Sequence, residues 1–285
     1  TVRETNYDAS PRETMESDVD VVIPTFRRPE ALAECLASLE RQTMAPKSIE
    51  VVDDSESDLG LSATRNIGIR RGSGGIIAFL DDDCIASPNW IESIERAMGD
   101  PDLAAIEGGV TTTDATGDII PYKPPNRIRW NRFVGANMAI RRSVIEEIGG
   151  YDERYYLHRE DTDIAWRILG SGGVIAWRPE CLIHHPTPLG STSGGKLAAF
   201  PRSEQLLYRC NPTKYVECAA SNISVRSVTG SALFQFMRDL RTSHAPGDVP
   251  PLTRGESISL WTRAWLLAVK WKIFQTLRIE HSGGD

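Results

Sequence analysis

The chain has 285 residues, of which 40% are hydrophobic and 25% are charged, so it can form one large globular domain with an appendage or two modest domains. Its net charge of −7 argues against general nucleic-acid binding, because phosphate backbones bind to basic surfaces. The five widely spaced cysteines include no Cys-x-x-Cys pair, which argues against a disulfide framework or a zinc site and indicates reduced thiols in a cytoplasmic protein.

The start of the sequence, residues 1–17, is polar and is predicted to be a flexible leader. It lacks the apolar core of a signal peptide. No run in the sequence reaches the roughly 18 uncharged apolar residues that a membrane-spanning helix needs. We therefore expect a cytoplasmic location.

Strand and helix patterns alternate through the first two thirds of the sequence. Apolar runs typical of buried strands occupy 19–24, 48–54, 75–80 and 103–110, and apolar residues at helical spacing lie between them. Buried strands joined by single helices indicate an α/β fold with a mostly parallel sheet flanked by helices. Further short strands are predicted at 135–140, 173–177 and 181–185, and further helices at 142–149 and 160–170.

Two segments interrupt this alternation. Residues 111–134 are turn-rich and predict either a hairpin or a loop over a ligand crevice. Residues 186–195 include seven Gly, Pro or Ser residues in ten and predict a mobile loop that orders over a bound ligand. Helical patterns at about 203–219 and 256–280 then predict a helical C-terminal region over 201–285, following a main domain over 18–200.

Polar side chains follow three of the predicted strands. The first strand ends in Pro24-Thr25-Phe26, the second in Asp53-Asp54 and the third in Asp81-Asp82-Asp83. Ligands of open α/β sheets bind outside the carboxyl ends of the strands, so parallel neighbours would bring these residues to one crevice. A carboxylate triplet there can bind Mg²⁺ or Mn²⁺ together with substrate phosphates. The alternative is a solvated acidic turn that caps the next helix.

Two later motifs carry titratable side chains. In HREDTDIAWR (158–167), Glu160, Asp161 and Asp163 gather at a helix start, where they either complement the helix dipole or supply a general base. In IHHP (183–186), His184 and His185 end a strand and serve either as metal ligands or as structural side chains.

The order of these motifs resembles the family 2 glycosyltransferases of the GT-A fold. The resemblance covers residues 19–185 and rests on IPTF, VVDDS, GLSATRNIGI, IIAFLDDD, GANMAIRRSVIEEIGGYDE and EDTDIAWR in this order. LLYRCNPTKYV (206–216) is also similar to a segment that follows the catalytic domain in bacterial and archaeal members. The resemblance implies a GT-A catalytic domain over 18–200.

The implied reaction is metal-dependent transfer of a sugar from a nucleotide diphosphate, expected to be a UDP-sugar, to a hydroxyl acceptor, with inversion. The acceptor would be a saccharide, a lipid-linked glycan or a small molecule, in the synthesis of a glycan, a glycolipid or a cell-surface polysaccharide. The sequence has no Gln-x-x-Arg-Trp motif, which processive members carry, so single addition is expected.

The resemblance also implies which residues bind the donor. Asp54 would hold the base, with Asp53 beside it, and Asp82 would lie near the ribose or the donor sugar. The other residues implied near the nucleotide or the sugar are Pro24, Thr25, Phe26, Arg65, Asp81, Gly135, Ala136 and Asn137, of which Asp81 is expected to be structural.

The catalytic and metal-binding residues follow in the same way. Glu160 and Asp161 match the family's Glu-Asp motif, with Asp161 as the general base. Asp81-x-Asp83 matches the DxD motif, and Asp83 would ligate Mn²⁺ or Mg²⁺. His185, or alternatively His184, would complete the metal site.

Three other functions fit parts of the pattern. A nucleotidyltransferase carries a Gly-rich loop after its first strand, which PTFRRPE lacks. A phosphatase of the haloacid-dehalogenase type carries Asp-x-Asp after its first strand, whereas two strand–helix units precede it here. A catalytically silent nucleotide-sugar-binding protein is the third alternative, and the presence of both acidic motifs argues against it.

The C-terminal stretch SISLWTRAWLLAVKWKIFQTLRI (257–279) combines three Trp with basic residues. It predicts either an interfacial helix at the inner face of a membrane, suited to a lipid-linked acceptor, or a helix packed on the catalytic domain or in a homodimer. Its apolar residues lie nearly all round the helix, which favours packing.

Overall fold

The computed structural model describes residues 17–122, 134–186, 200–222 and 252–281, with the side chains at 200, 201, 221, 222 and 272–281 left aside. The predicted leader, apart from Ser17, lies outside these residues. So does the predicted mobile loop, apart from Pro186.

The secondary structure follows the predicted alternation closely. The strands are β1 (Val19–Thr25), β2 (Ser48–Asp53), β3 (Ile76–Leu80), β4 (Ile85–Ala86), β5 (Leu103–Thr113), β6 (Ile119–Pro121), β7 (Asn137–Arg141) and β8 (Val174–His185). The helices are α1 (Pro29–Glu40), α2 (Leu61–Arg71), α3 (Trp90–Met98), α4 (Arg142–Glu147), α5 (Glu160–Gly170), α6 (Phe200–Cys210), α7 (Pro212–Asn222) and α8 (Arg254–His281).

The strands form a mixed sheet in the order β2-β1-β3-β7-β5-β8-β4, with β6 paired to the end of β5. β1 runs parallel to both β2 and β3, and β8 runs parallel to β5. β7 lies antiparallel between β3 and β5. The predicted α/β class is confirmed, but the sheet is not mostly parallel. The apolar run GANMAI is equally suited to a buried strand of either direction, so the sequence did not reveal the reversal of β7.

The structure corrects two local predictions and decides between the two alternatives of a third. The two short strands predicted at 173–177 and 181–185 are one strand, β8, whose register against β5 shifts between Gly108 and Gly109. The single helix predicted at 203–219 is divided into α6 and α7 at Pro212, which lacks the backbone N–H of a helix interior. Of the alternatives for 111–134, the described part is a hairpin of β5 and β6.

Apolar side chains cover both faces of the central strands. Val21 points to one face, where it joins a cluster with Leu39 of α1 and Trp90 of α3. Val22 points to the other face and packs with Ile69 of α2. Fully burying one such side chain contributes roughly 1.5–3 kcal/mol. These two layers hold the backbones of β1 and β3, whose carboxyl ends carry the candidate site.

The C-terminal helices are packed on the sheet domain through α5. Trp166 of α5 and Tyr155 share a third apolar cluster with Leu207 of α6 and Tyr215 of α7. Lys214 Nζ also donates a hydrogen bond of 2.8 Å to the carbonyl oxygen of Trp166. The predicted helical C-terminal extension is therefore confirmed as part of the fold, and the division at residue 200 stays a prediction.

One face of helix α8 packs against the rest of the protein, and its opposite face carries exposed apolar side chains. Leu260 and Ala264 are buried in the third cluster, whereas Ile258 and Leu266 are each 55% exposed. Among the described residues, no helix combines the length and the hydropathy that crossing a membrane requires. The sequence favoured packing of residues 257–279 on the protein, and one side of α8 is packed in this way.

Candidate active site

The carboxyl ends of three parallel strands meet at one edge of the sheet. β1 lies between β2 and β3, and Thr25 at the end of β1 is the register partner of Asp53 at the end of β2. The acidic triplet begins directly after β3. The sequence prediction that these strand ends border one crevice is therefore met by the topology.

The first two carboxylates of the triplet are held by side chains from other elements. Asp81 Oδ1 accepts a hydrogen bond of 3.1 Å from Arg65 Nη2. Asp82 is almost fully buried, and its Oδ2 accepts a hydrogen bond of 2.8 Å from the Thr25 hydroxyl. Burial raises the pKa of Asp82, while the Thr25 hydrogen bond and the charge of Arg28 act in the opposite direction. Asp82 thus ties the end of β1 to the triplet.

The third carboxylate, Asp83, lies between two basic side chains. Its Oδ2 is 2.5 Å from Arg28 Nη1, and its Oδ1 is 3.4 Å from His185 Nε2. Asp83 keeps 25% of its side-chain surface exposed, so it can still be reached from solvent. The triplet is therefore neither a fully solvated turn nor an unneutralised cluster of charges.

Asp83, Cys84 and His185 offer three ligand atoms within 4.8 Å of one another, which is close enough for one metal ion. Cys84 is a poor third ligand, because burial and the neighbouring carboxylates raise the pKa of its thiol well above the usual value. One carboxylate and one imidazole remain, a donor set that fits Mn²⁺ and accepts substrate phosphates in its open positions. The residues present therefore fit the implied cation.

The two adjacent histidines point in different directions. His185 is 9% exposed and faces Asp83. His184 Nδ1 lies 3.0 Å from the Thr111 hydroxyl, and its Nε2 lies 3.4 Å from the Thr113 hydroxyl. Burial, followed by the charge of His185, lowers the pKa of His184. The alternative assignment of His184 as the metal ligand is not supported by this geometry, because successive strand residues face opposite sides of the sheet.

Arg65 forms a buried ionic link between the triplet and the Glu-Asp motif. Its side chain is 1% exposed, and its Nη1 donates a hydrogen bond of 3.1 Å to Glu160 Oε1. Its Nη2 contacts Asp81 and the carbonyl oxygen of Gly135, the latter at 3.3 Å. The guanidinium also lies over the rings of Phe79 and Tyr151, a favourable cation–π geometry.

The expected contact of Arg65 with the nucleotide stays a prediction. Its described hydrogen-bond partners are Asp81, Glu160 and Gly135, of which Asp81 keeps 33% of its side-chain surface exposed. Its position explains how two acidic motifs far apart in sequence are held together.

The Glu-Asp motif starts helix α5 from an uncommon backbone turn. His158 and Arg159 have positive φ values of 74° and 70°, a conformation that costs non-glycine residues of order 1–3 kcal/mol each. Burial, and then the charge of Asp161, raise the pKa of Glu160. Glu160 Oε2 is buried and has no hydrogen-bond partner among the described residues. Backbone strain and an unsatisfied carboxylate oxygen therefore coincide at the start of α5.

Asp161 lies at the boundary between this turn and the strand ends. Its Oδ2 accepts a hydrogen bond of 3.3 Å from the backbone N–H of Gly135, and its Oδ1 accepts one of 2.6 Å from the N–H of Thr162. A Cβ atom at Gly135 would lie 3.0 Å from Asp161 Cβ and 3.3 Å from Arg65. Glycine is therefore needed at 135 for this close approach.

Asn137 and Ala136, expected near the donor sugar, are buried. Asn137 Oδ1 accepts a hydrogen bond from the Trp90 indole, and its Nδ2 donates to the carbonyl oxygens of Gly109 and Cys181. Its side-chain amide joins neighbouring strands, and the expected contact of Asn137 with the sugar stays a prediction. Ala136 and Gly135 can border the crevice through their backbones.

The residues expected around the nucleotide base differ in how exposed they are and in how many hydrogen bonds they already make. Both carboxylate oxygens of Asp54 accept backbone N–H groups, from Leu59 and Gly60, and its expected role as the base-binding residue stays a prediction. Asp53 is exposed and shares a sheet face with Thr25 as its register partner. Phe26 is 42% exposed, whereas Pro24 is buried within β1.

The sequence reasoning missed two side chains that organise the site. Arg28 pairs with the triplet, and its signal was the Arg pair that follows the first strand. Glu204 of α6 accepts a hydrogen bond of 2.7 Å from Arg159 Nε and lies 3.1 Å from His158 Nε2. It thereby holds the turn before the Glu-Asp motif, and no local pattern around 204 indicated this.

The sequence also resembles proteins of known class. A family model described as glycosyl transferase family 2 matches residues 55–143. The chain is 26% identical to a glucosyl-dolichyl phosphate glucuronosyltransferase of Haloferax volcanii, over 47% of this chain and 56% of that protein. It is 27% identical to a succinoglycan biosynthesis protein, ExoM, of Rhizobium meliloti, over 66% of this chain and 72% of that protein.

A further relative is the pre-mycofactocin glycosyltransferase of Mycobacterium tuberculosis, 27% identical over 48% of this chain. The alignment covers 32% of that protein and 56% of the Haloferax volcanii protein, so the chain spans about half or less of the length of these two relatives. Among solved structures, the crystal structure of S. aureus TarS residues 1–349 matches with a TM-score of 0.56 and 12% identity. The match covers 78% of this chain and 80% of that one, and it shows the fold.

Proposed function

We propose that this chain transfers a sugar from a nucleotide diphosphate to a hydroxyl acceptor, because its residues 55–143 match the family model of glycosyl transferase family 2. One observation supports this most directly. A single edge of the sheet brings Asp83 to within 3.4 Å of His185, and Arg65 links the same triplet to Glu160. These contacts support a diphosphate-binding centre next to a candidate base at one edge of the sheet.

In this proposal, the donor base lies against Phe26 and is hydrogen-bonded by Asp53. Hydrogen bonds from the side chain and the backbone of Ser55 lower the pKa of Asp53, so its carboxylate is ionised near neutral pH. An ionised carboxylate can accept the imide N–H of uracil, which favours a UDP-sugar. Thr25, anchored on Asp82, defines the floor between base and diphosphate.

Asp83 and His185 would hold a divalent cation, Mn²⁺ or Mg²⁺, which supplies positive charge to the leaving diphosphate. Asp82 lies beside this pair and faces the ribose or the donor sugar. The carbonyl-lined turn at Gly135 borders the sugar from the other side, next to Asp161.

Asp161 acts as the general base in the proposed reaction. It removes the proton of the acceptor hydroxyl while the hydroxyl oxygen forms a bond to the anomeric carbon. The bond from that carbon to the diphosphate oxygen breaks on the opposite face, the nucleotide diphosphate leaves with the electron pair, and the configuration inverts. Glu160, fixed by Arg65, orients the start of α5 and thus the Asp161 side chain.

The acceptor is proposed to be a growing glycan, a glycolipid precursor or a cell-surface polysaccharide, extended by one sugar. The names of two relatives, for a dolichyl phosphate glycan and for succinoglycan, support this class. The main domain over 18–200 would carry catalysis in the cytoplasm, and the exposed Ile258 and Leu266 of α8 would contact the inner face of a membrane or, alternatively, a second copy of the chain. Flotation with anionic liposomes and the sedimentation behaviour of the free protein distinguish these two outcomes.

The central test is a thermal-shift screen of nucleotide sugars in Mn²⁺ and in EDTA. We expect one UDP-sugar to raise the unfolding temperature in Mn²⁺ and to have little effect in EDTA, because the diphosphate needs the cation. Release of UDP in the presence of saccharide acceptors then measures turnover. If a donor stabilises the protein but no UDP is released, a catalytically silent nucleotide-sugar-binding protein is favoured. If no nucleotide sugar stabilises the protein, the proposed class of donor is contradicted.

A further inference from the structure

The guanidinium of Arg28 lies between two carboxylates of the acidic triplet. Its Nη1 is 3.1 Å from Asp82 Oδ1 and 2.5 Å from Asp83 Oδ2. The Arg28 side chain is 39% exposed, whereas that of Asp82 is 7% exposed. A long, partly solvated cation therefore neutralises two carboxylates that belong to a buried turn.

The two neighbours of Asp83 use different oxygens of the same carboxylate. Oδ2 contacts Arg28 and Oδ1 faces His185. A cation held by Asp83 and His185 would share this carboxylate with the guanidinium. Two positive groups at such a separation repel each other, and one carboxylate neutralises both only in part.

The other contacts of the triplet are fixed, whereas that of Arg28 is not. Asp82 is anchored by Thr25, and Asp81 is anchored by the buried Arg65. Arg28 precedes α1 and makes no side-chain capping hydrogen bond to that helix. Its side chain can therefore leave the carboxylates without disturbing a helix or the core.

Resting on the proposed function, we infer that Arg28 is an exchangeable counter-ion of the metal site. It pairs with Asp82 and Asp83 in the metal-free protein and is displaced towards the donor diphosphate when a divalent cation binds. The planar guanidinium matches phosphate oxygens in a two-point contact. Arg28 is thus a positioning residue that weakens binding of the metal alone and strengthens binding of the diphosphate with the metal.

The first measurement is the Kd for Mn²⁺, by calorimetry without nucleotide. In Arg28→Gln we expect Mn²⁺ to bind about tenfold more tightly than in the wild type, since the competing charge is gone. Arg28→Lys keeps the charge and should stay near the wild type. Arg27→Gln is the matched control, because in the described part of the chain Arg27 contacts Ser55 and the Phe26 ring, whereas Arg28 contacts the triplet.

The second measurement is the Kd for UDP in saturating Mn²⁺. Here Arg28→Gln should bind more weakly than the wild type, a change opposite in sign to that for Mn²⁺ alone. A side chain that only supports the fold would not produce opposite signs. The unfolding midpoint of each variant, measured alongside, verifies that the protein is folded.

The outcomes separate this inference from the proposed function. If the wild type binds no Mn²⁺, the metal site is wrong and the role of Arg28 falls with it. Binding of Mn²⁺ to the wild type together with its loss in Asp83→Asn would support the metal site. If Arg28→Gln then binds Mn²⁺ no more tightly than the wild type does, the counter-ion role of Arg28 is overturned.

Discussion

Arg65 Nη1 lies 3.1 Å from Glu160 Oε1, and both side chains are almost completely buried. Because Arg65 also contacts Asp81, one guanidinium connects the end of β3 with the start of α5. Breaking one side of a buried pair typically costs about 3–5 kcal/mol, since it leaves an uncompensated charge.

We therefore expect Arg65→Met to lower the free energy of unfolding by about 3–5 kcal/mol in urea titrations. Arg70→Met, on the exposed face of the same helix, is the matched control and should change stability by less than about 0.5 kcal/mol. A loss of donor binding in Arg65→Met without any loss of stability would instead place the guanidinium against the nucleotide.

Asp161→Asn removes the proposed base and retains the size of the side chain. We expect kcat to fall by about 10²–10⁴ while the Kd for the donor in Mn²⁺ stays nearly unchanged. Asp102→Asn, an exposed substitution at the turn before β5, should keep full activity. An active Asp161→Asn variant would exclude this residue as the base.

The two adjacent histidines provide a matched pair for the metal site. We expect His185→Ala to raise the Kd for Mn²⁺ at least about tenfold, because it removes the imidazole that faces Asp83. His184→Ala should leave that Kd nearly unchanged, since His184 contacts Thr111 and Thr113 instead. The reverse ranking, measured by calorimetry, would assign the ligand to His184.

Gly135→Ala would push a methyl group against the base. The added Cβ would lie 3.0 Å from Asp161 Cβ, so we expect the carboxylate to shift and kcat to fall by about 10–100-fold, with the unfolding temperature changing little. Gly255→Ala is the control, because no atom lies within 4 Å of a Cβ there. Steady-state kinetics equal to the wild type in Gly135→Ala would show that Asp161 tolerates displacement.

Glu204 makes the stability of the protein depend on acid pH. Burial alone would raise the pKa of Glu204, but the charge of Arg159 and the hydrogen bonds of His158 and Tyr215 outweigh it and lower the pKa to about 2. The folded-state pKa is thus below the unfolded value of about 4.3, so the ionised group contributes about 3 kcal/mol above that pH. This contribution is lost as the pH falls from about 4.3 to about 2.

The corresponding measurement compares the wild type with Glu204→Gln in denaturant titrations between pH 2 and pH 6. The variant should be less stable at pH 6, and the two curves should converge as the pH approaches 2. A difference in stability that is constant across this range would show that folding does not lower the pKa of Glu204.

The sequence was sufficient to predict the strands that carry the site. Residues 19–24 and 75–80 are apolar throughout most of their length, as strands covered by helices on both faces require, and 48–54 carries Ile49, Val51 and Val52 before its acidic end. The polar ends of the strands then lie outside the core by necessity. This is why Asp53 and Asp83 could be placed at one crevice without coordinates.

Partners that come from distant segments could not be predicted in the same way. Which histidine faces Asp83 depends on the register shift of β8 opposite Gly108 and Gly109, and an irregularity of this kind has no sequence signature. Arg65 occupies a helix whose periodicity is consistent with either a nucleotide contact or a buried ion pair. Only its neighbours in space decide between the two.

The left-handed turn at His158 and Arg159 also has a consequence for biosynthesis. Glu204, which holds this turn, is translated after the strands in the described part of the chain, the last of which ends at His185. A growing chain can therefore form the strand ends before Glu204 is available to hold the strained turn in front of α5. If Asp161 is the base, as proposed, a chain that stops short of α6 would contain a folded sheet without a completed active site.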